Sequence, residues 1–320
     1  ADVVAFAKSS REGSTSLSAT EIRHQAARAF QHTVLGPAIF AGVGVHTGAH
    51  VRVAVRPAPA DSGIVFVRTD LSGDNRVPVS GEAVCKTQLG TVIGNAAGVT
   101  VPTPAPLMAA CATLAGDKAV VGLDGPEMPS MAGSSLPFVQ ILDQTGLRRQ
   151  DAPRRFIEIL APIIVTEGDK SASLLPGDRF EVAFEIVFDS PVIGRQAVDL
   201  PMDEQAFRDE LADCRTFGFA HEVEALRAMG LARGGSLENA VVIEGDRILN
   251  PEGLRRPDEF VRHKALDAIG DLYVLGGPII GRFEGRLAGH GINNALVRAL
   301  LAQPESWRLR SFAPELALAV

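Results

Sequence analysis

Residues 260–272, with the sequence FVRHKALDAIGDL, carry the most informative pattern in the chain. Residues four apart on a helix lie on one face, so this segment predicts a helix with a polar stripe formed by His263, Asp267 and Asp271. The residues that face away are apolar: Val261, Ala265, Ile269 and Leu272. An imidazole and a carboxylate one turn apart can bind the same divalent ion. A hydrogen-bonded pair is the commoner reason for this spacing, so the segment alone leaves both interpretations open.

Length and composition exclude several classes of protein. The 320 residues are enough for two domains, and 46% hydrophobic with 22% charged residues is typical of a globular protein. A net charge of -7 argues against nucleic-acid binding. Because we find neither an apolar run long enough to span a membrane nor a signal peptide, we expect no transmembrane segment and a cytoplasmic location. Cys85, Cys111 and Cys214 lack pair spacing and are expected to be reduced thiols.

Strand patterns appear on both sides of a charged, turn-rich segment. Residues 51–55 and 64–67 are β-branched and predict a hairpin-rich sheet, and residues 156–159, 163–165 and 180–186 predict further strands. The glycines of residues 42–48 lack the spacing of a phosphate-binding loop, so a tight connection between strands is the better interpretation. Residues 1–30 are interpreted as an N-terminal extension, and a short amphipathic docking helix is one interpretation of it.

The chain resembles a known family at many ordered positions. VRHKALDAIGD (261–271), followed by Gly289-His290 and Asn293-Asn294, is similar to the bacterial UDP-3-O-acyl-N-acetylglucosamine deacetylases, the zinc hydrolases of lipid A biosynthesis. The similarity runs from about residue 31 to the C-terminus. Further matching motifs are GVGVHTG (42–48), RPAPA (56–60), RTDL (68–71), PEMP (126–129), RTFGF (215–219) and GGS (234–236).

The resemblance implies an α+β fold of two similar sandwich domains that face each other, each a β-sheet with two helices. We expect the first domain at residues 31–145, a linker at 146–155 and the second domain at 156–320. The resemblance also implies a small β insert in the first domain and a β-α-β insert, at about residues 217–250, in the second. In the family this second insert lines a hydrophobic passage for the substrate's acyl chain.

The resemblance also assigns roles to residues. His263 and Asp267 match zinc ligands, and Asp271 with His290 matches a carboxylate–imidazole pair that assists catalysis electrostatically or as an acid. The positions that match substrate or oxyanion contacts are Lys264, Thr216, Phe217, Gly218 and His46, the last near the rim of the site. We further expect Asn293 and Asn294 to cap a helix over residues 295–302.

Three positions depart from the family pattern. Where the family has a glutamate that serves as general base and a histidine that binds zinc, this chain has Ala105 and Pro106. Where the family has an aspartate that supports the site, it has Ala132. A methyl group cannot take a proton, and a proline within a chain offers a metal no lone pair.

These departures favour a non-catalytic member of the family. We expect such a protein to bind a UDP-linked acyl sugar or another acyl lipid, or to contact proteins that control lipid A synthesis, with zinc bound weakly or not at all. The alternative is a divergent metal-dependent deacetylase, in which His46 or His290 completes the metal site and Asp271 or a water is the base. A third possibility is that the polar stripe only satisfies buried groups.

Overall fold

The computed structural model describes residues 28–102 and 105–312. The predicted N-terminal extension, including its possible docking helix, lies outside this range up to residue 27. Within the described residues, no helix is both long and apolar enough to cross a membrane. Cys85, Cys111 and Cys214 are free in the structure.

The elements of the first half include a sheet, two helices and a small insert. Its strands are β1 (Phe30–Val34), β2 (Ala38–Val43), β3 (His50–Pro57), β4 (Ile64–Arg68), β5 (Arg76–Pro78), β6 (Val84–Lys86), β7 (Val92–Gly94), β8 (Thr100–Pro102), β9 (Ala119–Leu123) and β10 (Leu147–Pro153). Its helices are α1 (Ala105–Thr113) and α2 (Leu136–Thr145).

The second half repeats this pattern with longer connections. Its strands are β11 (Phe156–Ile159), β12 (Ile163–Glu167), β13 (Lys170–Leu175), β14 (Phe180–Val187), β15 (Arg195–Pro201), β16 (Phe217–Phe219), β17 (Val241–Glu244), β18 (Arg247–Ile248), β19 (Ile279–Arg286) and β20 (Trp307–Arg310). Its helices are α3 (Glu204–Glu210), α4 (Ala220–Ala228), α5 (Glu259–Leu272) and α6 (His290–Leu301), with 3₁₀ turns at Tyr273–Leu275 and Pro304–Ser306.

The two main sheets share one strand order. The first runs β2-β3-β9-β4-β5, and the second contains the path β12-β13-β19-β14-β15. In both paths the third and fourth strands are parallel, and every other neighbouring pair is antiparallel. The order of helices agrees too, because α1 and α2 flank β9 as α5 and α6 flank β19. The α+β fold of two similar units is therefore confirmed.

Helices α1 and α5 bring the two halves together. They pack more extensively than any other pair of helices among the described residues. The closest approach is at Gly270, where an added Cβ would lie 2.2 Å from the carbonyl oxygen of Ala105. This approach needs a residue without a side chain, and it sets the start of α1 against the turn of α5 that carries Asp267 and Asp271.

Each half also carries its expected insert. Strands β6, β7 and β8 form a three-stranded antiparallel sheet in the first half. In the second, β16 and β17 are parallel with α4 between them, which is the expected β-α-β unit, and β18 pairs with β17. The glycine-rich residues 42–48 connect antiparallel β2 and β3, as interpreted from their spacing. Most of the predicted linker is β10, which pairs with β1.

Candidate functional site

The predicted polar stripe lies on α5, and its first two members face each other. The carbonyl oxygen of Cys214 lies 3.0 Å from His263 Nδ1. Since a carbonyl only accepts hydrogen bonds, Nδ1 carries the hydrogen, and in the neutral ring Nε2 presents a lone pair. His263 Nε2 lies 3.3 Å from Asp267 Oδ1. Two ligands of a tetrahedral zinc ion are about this far apart when their bonds are about 2.0–2.1 Å long.

The third member of the stripe forms a buried carboxylate–imidazole pair with α6. His290 Nδ1 lies 2.8 Å from Asp271 Oδ2. Thr91 Oγ1 donates to Asp271 Oδ1 at 2.7 Å, and Asn293 Nδ2 donates to Oδ2 at 3.0 Å. Two of these donors lie on α6, and the third, Thr91, comes from the first half of the chain. They fix the carboxylate, which in turn orients the imidazole so that its Nε2 lies 4.0 Å from Asp267 Oδ2.

Charges in the site oppose the effects of burial. Burial by itself would lower the pKa of His290, but the charge and hydrogen bond of Asp271, with a contribution from Asp267, raise it to about 9. Burial by itself would raise the pKa of Asp267, but His263, His290 and Lys264 hold it well below its usual range. At neutral pH the site therefore presents an imidazolium beside an ionised carboxylate.

Thr216 and Phe217 lie where the β-α-β insert leaves the second half. The Thr216 backbone N–H donates to the Gly133 carbonyl at 2.8 Å, so its position depends on the residue directly after Ala132. The Phe217 ring packs edge-to-face on Phe260 of α5, with centroids 4.9 Å apart. Gly218 follows in β16, and Lys264 is half-buried on α5 beside His263.

The loop that carries His46 is held by contacts on two sides. Glu127 accepts from the His46 backbone N–H at 3.1 Å, and the His46 ring Nε2 lies 3.4 Å from the Leu89 carbonyl oxygen. The His46 carbonyl accepts from the Arg233 N–H at 3.2 Å. This last bond ties the loop to the second-half insert and agrees with a position at a rim.

The residues present do not fit a catalytic zinc ion with three protein ligands. His263 and Asp267 supply two donors at a suitable separation, whereas Ala105 and Pro106 supply none. Across residues 28–102 and 105–312, no three His, Cys, Asp or Glu side chains come together as a metal site, so neither His46 nor His290 completes one. Weak zinc binding stays a prediction.

Sequence reasoning missed several residues that position the site. No sequence pattern indicates Thr91 or the Cys214 carbonyl, because their partners, Asp271 and His263, are distant in sequence and come close only in the folded chain. Asn293 could have been found, since it lies one turn after His290 on the same helix. The prediction that Asn293 and Asn294 cap a helix was wrong: α6 begins at His290, and the Asn293 side chain binds Asp271 instead.

Comparison with known proteins gives one consistent family. A family model described as UDP-3-O-acyl N-acetylglycosamine deacetylase matches residues 31–302. A protein of Phenylobacterium zucineum (strain HLK1), named UDP-3-O-acyl-N-acetylglucosamine deacetylase, is 76% identical over 292 residues, which cover 91% of this chain and 100% of that relative. A protein of the same name from Shewanella sp. (strain W3-18-1) is 47% identical over 288 residues, covering 89% of this chain and 94% of the relative.

These relatives overturn one prediction. The interpretation of the chain as a non-catalytic member was wrong, because a relative that matches over its whole length at 76% identity is named as the deacetylase. The alternative interpretation, a deacetylase, agrees better with this finding. The departures at Ala105, Pro106 and Ala132 therefore change the composition of the centre within a chain that otherwise matches the family.

Proposed function

Because this chain belongs to the UDP-3-O-acyl-N-acetylglucosamine deacetylase family, we propose that it hydrolyses the N-acetyl amide of a UDP-linked 3-O-acyl-glucosamine. Water adds to the acetyl carbonyl carbon, the carbon–nitrogen bond breaks, and acetate and the free amine of the sugar are released. The observation that carries this proposal is the 2.8 Å contact between His290 Nδ1 and Asp271 Oδ2. Hydrogen bonds from Thr91 and Asn293, one in each half of the chain, hold the Asp271 carboxylate in place.

Within this proposal, His290 is the acid. An amide nitrogen is a poor leaving group until it is protonated, so a positioned proton donor accelerates the cleavage step. Asp271 accepts from Nδ1 and keeps the imidazole charged, which leaves the Nε2 proton available to the departing nitrogen. After cleavage, His290 regains its proton from solvent.

We assign the orientation of the attacking water to Asp267 and His263. The ionised carboxylate of Asp267 accepts a hydrogen bond from that water and takes its proton as the water adds, and His263 Nε2 lies 3.3 Å from Asp267 Oδ1 and orients the carboxylate. The low pKa of Asp267 makes it a weak base. We therefore expect turnover about 10²- to 10⁴-fold slower than with the glutamate that the resemblance implies at position 105.

Lys264 and Thr216 are assigned to the oxygen of the acetyl group, which gains negative charge as water adds. The Lys264 ammonium is close enough to influence the pKa values of both Asp267 and His290. Donors that are fixed before the reaction stabilise this developing charge most effectively. The backbone bonds of Thr216 to Gly133 and Val241 hold its position in advance.

An aromatic cluster supports an acyl-bearing substrate. Phe188 packs on Phe217 and Phe219 with ring centroids 5.7 and 6.0 Å apart, and Phe217 packs on Phe260. The cluster connects the β-α-β insert to α5, three residues before His263. We propose that the acyl chain lies along these rings and that His46 and Gly218 contact the substrate nearby. A cytoplasmic location stays a prediction.

The test is release of the free amine from a synthetic UDP-3-O-acyl-N-acetylglucosamine, followed by mass spectrometry. We expect product from the native chain and a loss of about 10²-fold or more in His290→Ala. His50→Ala removes an exposed histidine and is the matched control. His290→Ala purified in parallel also reports activity contributed by the expression host. The proposal fails if the native chain forms no more product than His290→Ala.

A further inference from the structure

A second polar pocket lies where the two halves of the chain meet, away from the polar stripe of α5. Its volume is about 150 Å³, several times that of a water molecule. It is lined by Asp61, Lys118, Arg154 and Arg155, together with residues 276–278, which precede β19. None of these residues has a role in the proposed deacetylation.

The carboxylate of Asp117 already has partners for both of its oxygens. Arg154 Nη2 lies 2.7 Å from Asp117 Oδ1, and both side chains are buried. Tyr273 donates its hydroxyl to the same Asp117 oxygen at 3.0 Å, and the His32 N–H donates to Oδ2 at 3.2 Å. Asp117 and Arg154 therefore neutralise each other.

The second carboxylate lies at the rim. Gln31 Nε2 donates to Asp61 Oδ1 at 2.8 Å, and Arg155 Nη2 lies 4.0 Å from the same oxygen. Both Asp61 and Arg155 are mostly exposed, so their attraction is screened by water. Arg155 is thus free to turn toward another anion.

Lys118 is the cation that these carboxylates do not neutralise. It is only 8% exposed, and its ammonium donates to the Asp117 carbonyl at 3.2 Å. In the part of the chain that the structure describes, no carboxylate oxygen lies within 4.0 Å of this ammonium. Burial lowers the pKa of Lys118, and the charges of Asp117 and Asp61 offset this effect only in part. A buried ammonium without a direct counter-ion is destabilising.

We propose that this pocket binds a small oxyanion of the phosphate class, with Lys118 as its buried cation and Arg155 as a second cation at the rim. A bound oxyanion supplies the missing counter-charge. It also accepts hydrogen bonds from the N–H groups of the Lys118 ammonium that do not bind the Asp117 carbonyl. The surrounding charges favour an anion, because the lining contains three cationic side chains and two carboxylates: Lys118, Arg154 and Arg155 against Asp61 and Asp117. Because the lining comes from both halves, binding also stabilises their association.

The probe for this site is inorganic phosphate, titrated by calorimetry at constant ionic strength set with sodium chloride. We expect one saturable site in the native chain and a melting temperature that rises with phosphate concentration. Lys118→Met should weaken binding by at least about 10-fold, and Arg155→Ala by several-fold. Lys170→Met removes an exposed lysine on β13 and should leave the affinity unchanged.

A further variant separates this site from the proposed active site. Lys264→Met removes a cation of the α5 site, so it should lower deacetylation while phosphate affinity is retained. Loss of phosphate binding in Lys264→Met would place the phosphate at the active site and overturn the proposal. Equal affinity in the native chain and Lys118→Met, or no saturable binding in the native chain, would also overturn it. If Lys118→Met does not fold, unchanged affinity in Arg155→Ala decides against the pocket.

Discussion

Thr91 donates a 2.7 Å hydrogen bond to Asp271, which lies 180 positions later in the sequence. Thr91 lies immediately before β7, in the small insert of the first half, whereas Asp271 lies on α5 of the second. The bond joins the two halves at the carboxylate that orients His290. Thr91 is thus a positioning residue, because it acts on the proposed acid through Asp271.

We expect Thr91→Val to lower kcat by about 10-fold with little change in KM, because the side chain acts on the proposed acid through Asp271. The lost donor also lets the carboxylate rotate, so the pKa of His290 should fall from about 9. Steady-state kinetics and a pH–rate profile measure both effects. Thr166→Val, at an exposed position of β12, is the control. A change confined to KM, or an unaltered pH profile, would contradict a positioning role.

His290 should titrate well above an ordinary histidine. Its pKa of about 9 exceeds the unfolded value of 6.5, so the stability that its charge contributes is complete below pH 6.5 and is lost as pH rises through about 9. Asp271, Asp267 and Lys264 are the charged groups that set this value. NMR titration of the imidazole in chelator-treated protein should show the high midpoint, and Asp271→Asn should lower it. A midpoint near 6.5 in the native chain would refute this assignment.

Restoring the two side chains that the resemblance implies at the start of α1 should create a metal site. Ala105 lies against Gly270 of α5, beside the turn that bears Asp267. We expect Ala105→Glu combined with Pro106→His to retain about one zinc per chain after desalting and to raise the rate about 10²- to 10⁴-fold. Zinc content is measured by elemental analysis.

The control for this restoration adds His263→Ala to the double variant, which should lose the zinc again. Pro106→His alone should bind zinc but gain less activity, because the base is still missing. The packing indicates that the start of α1 faces the polar stripe. A double variant that holds no more zinc than the native chain would contradict this arrangement.

A buried ion pair anchors the start of α5. Arg215 and Glu259 are both buried, and Arg215 Nε donates to Glu259 Oε1 at 2.8 Å. Because Arg215 precedes Thr216 and Glu259 begins the helix of the polar stripe, this pair aligns two parts of the site. We expect Glu259→Gln to cost about 3–5 kcal/mol of unfolding free energy, since it removes the buried counter-ion of a buried cation and leaves only the exposed Glu252.

The matched control is Glu252→Gln, which removes an exposed carboxylate 2.7 Å from the same arginine. Its cost should be much smaller than that of Glu259→Gln, because exposed ion pairs contribute little. Chemical denaturation of both variants measures the difference. Similar losses in the two would show that burial of the pair is not what matters.

The helix of residues 259–272 could be predicted because its information is local. Its apolar and polar positions repeat with the helical period, so His263, Asp267 and Asp271 fall on one face without knowledge of the fold. Thr91 and the Cys214 carbonyl could not be predicted, because their partners are distant in sequence. A hydrogen bond between residues that are distant in sequence produces no repeating pattern in the sequence around either residue.

The similarity of the two halves was likewise predicted only through the resemblance. The repeat consists of strand order and orientation, and corresponding strands such as β9 and β19 differ in length and composition. The function was predicted wrongly for a related reason. Positions 105, 106 and 132 are the ones that carry chemistry in the family, whereas the identity of the rest of the chain to relatives cannot be read from a single sequence.

The matching strand orders have an evolutionary consequence. Helices α1 and α5 occupy the same position in each half, directly before the strands β9 and β19 that are central to their sheets. They are also the helices that pack against each other. If the halves arose by duplication of one ancestral gene, that ancestor's helix was buried against a second copy of itself, and the duplicated chain inherited a homodimer contact.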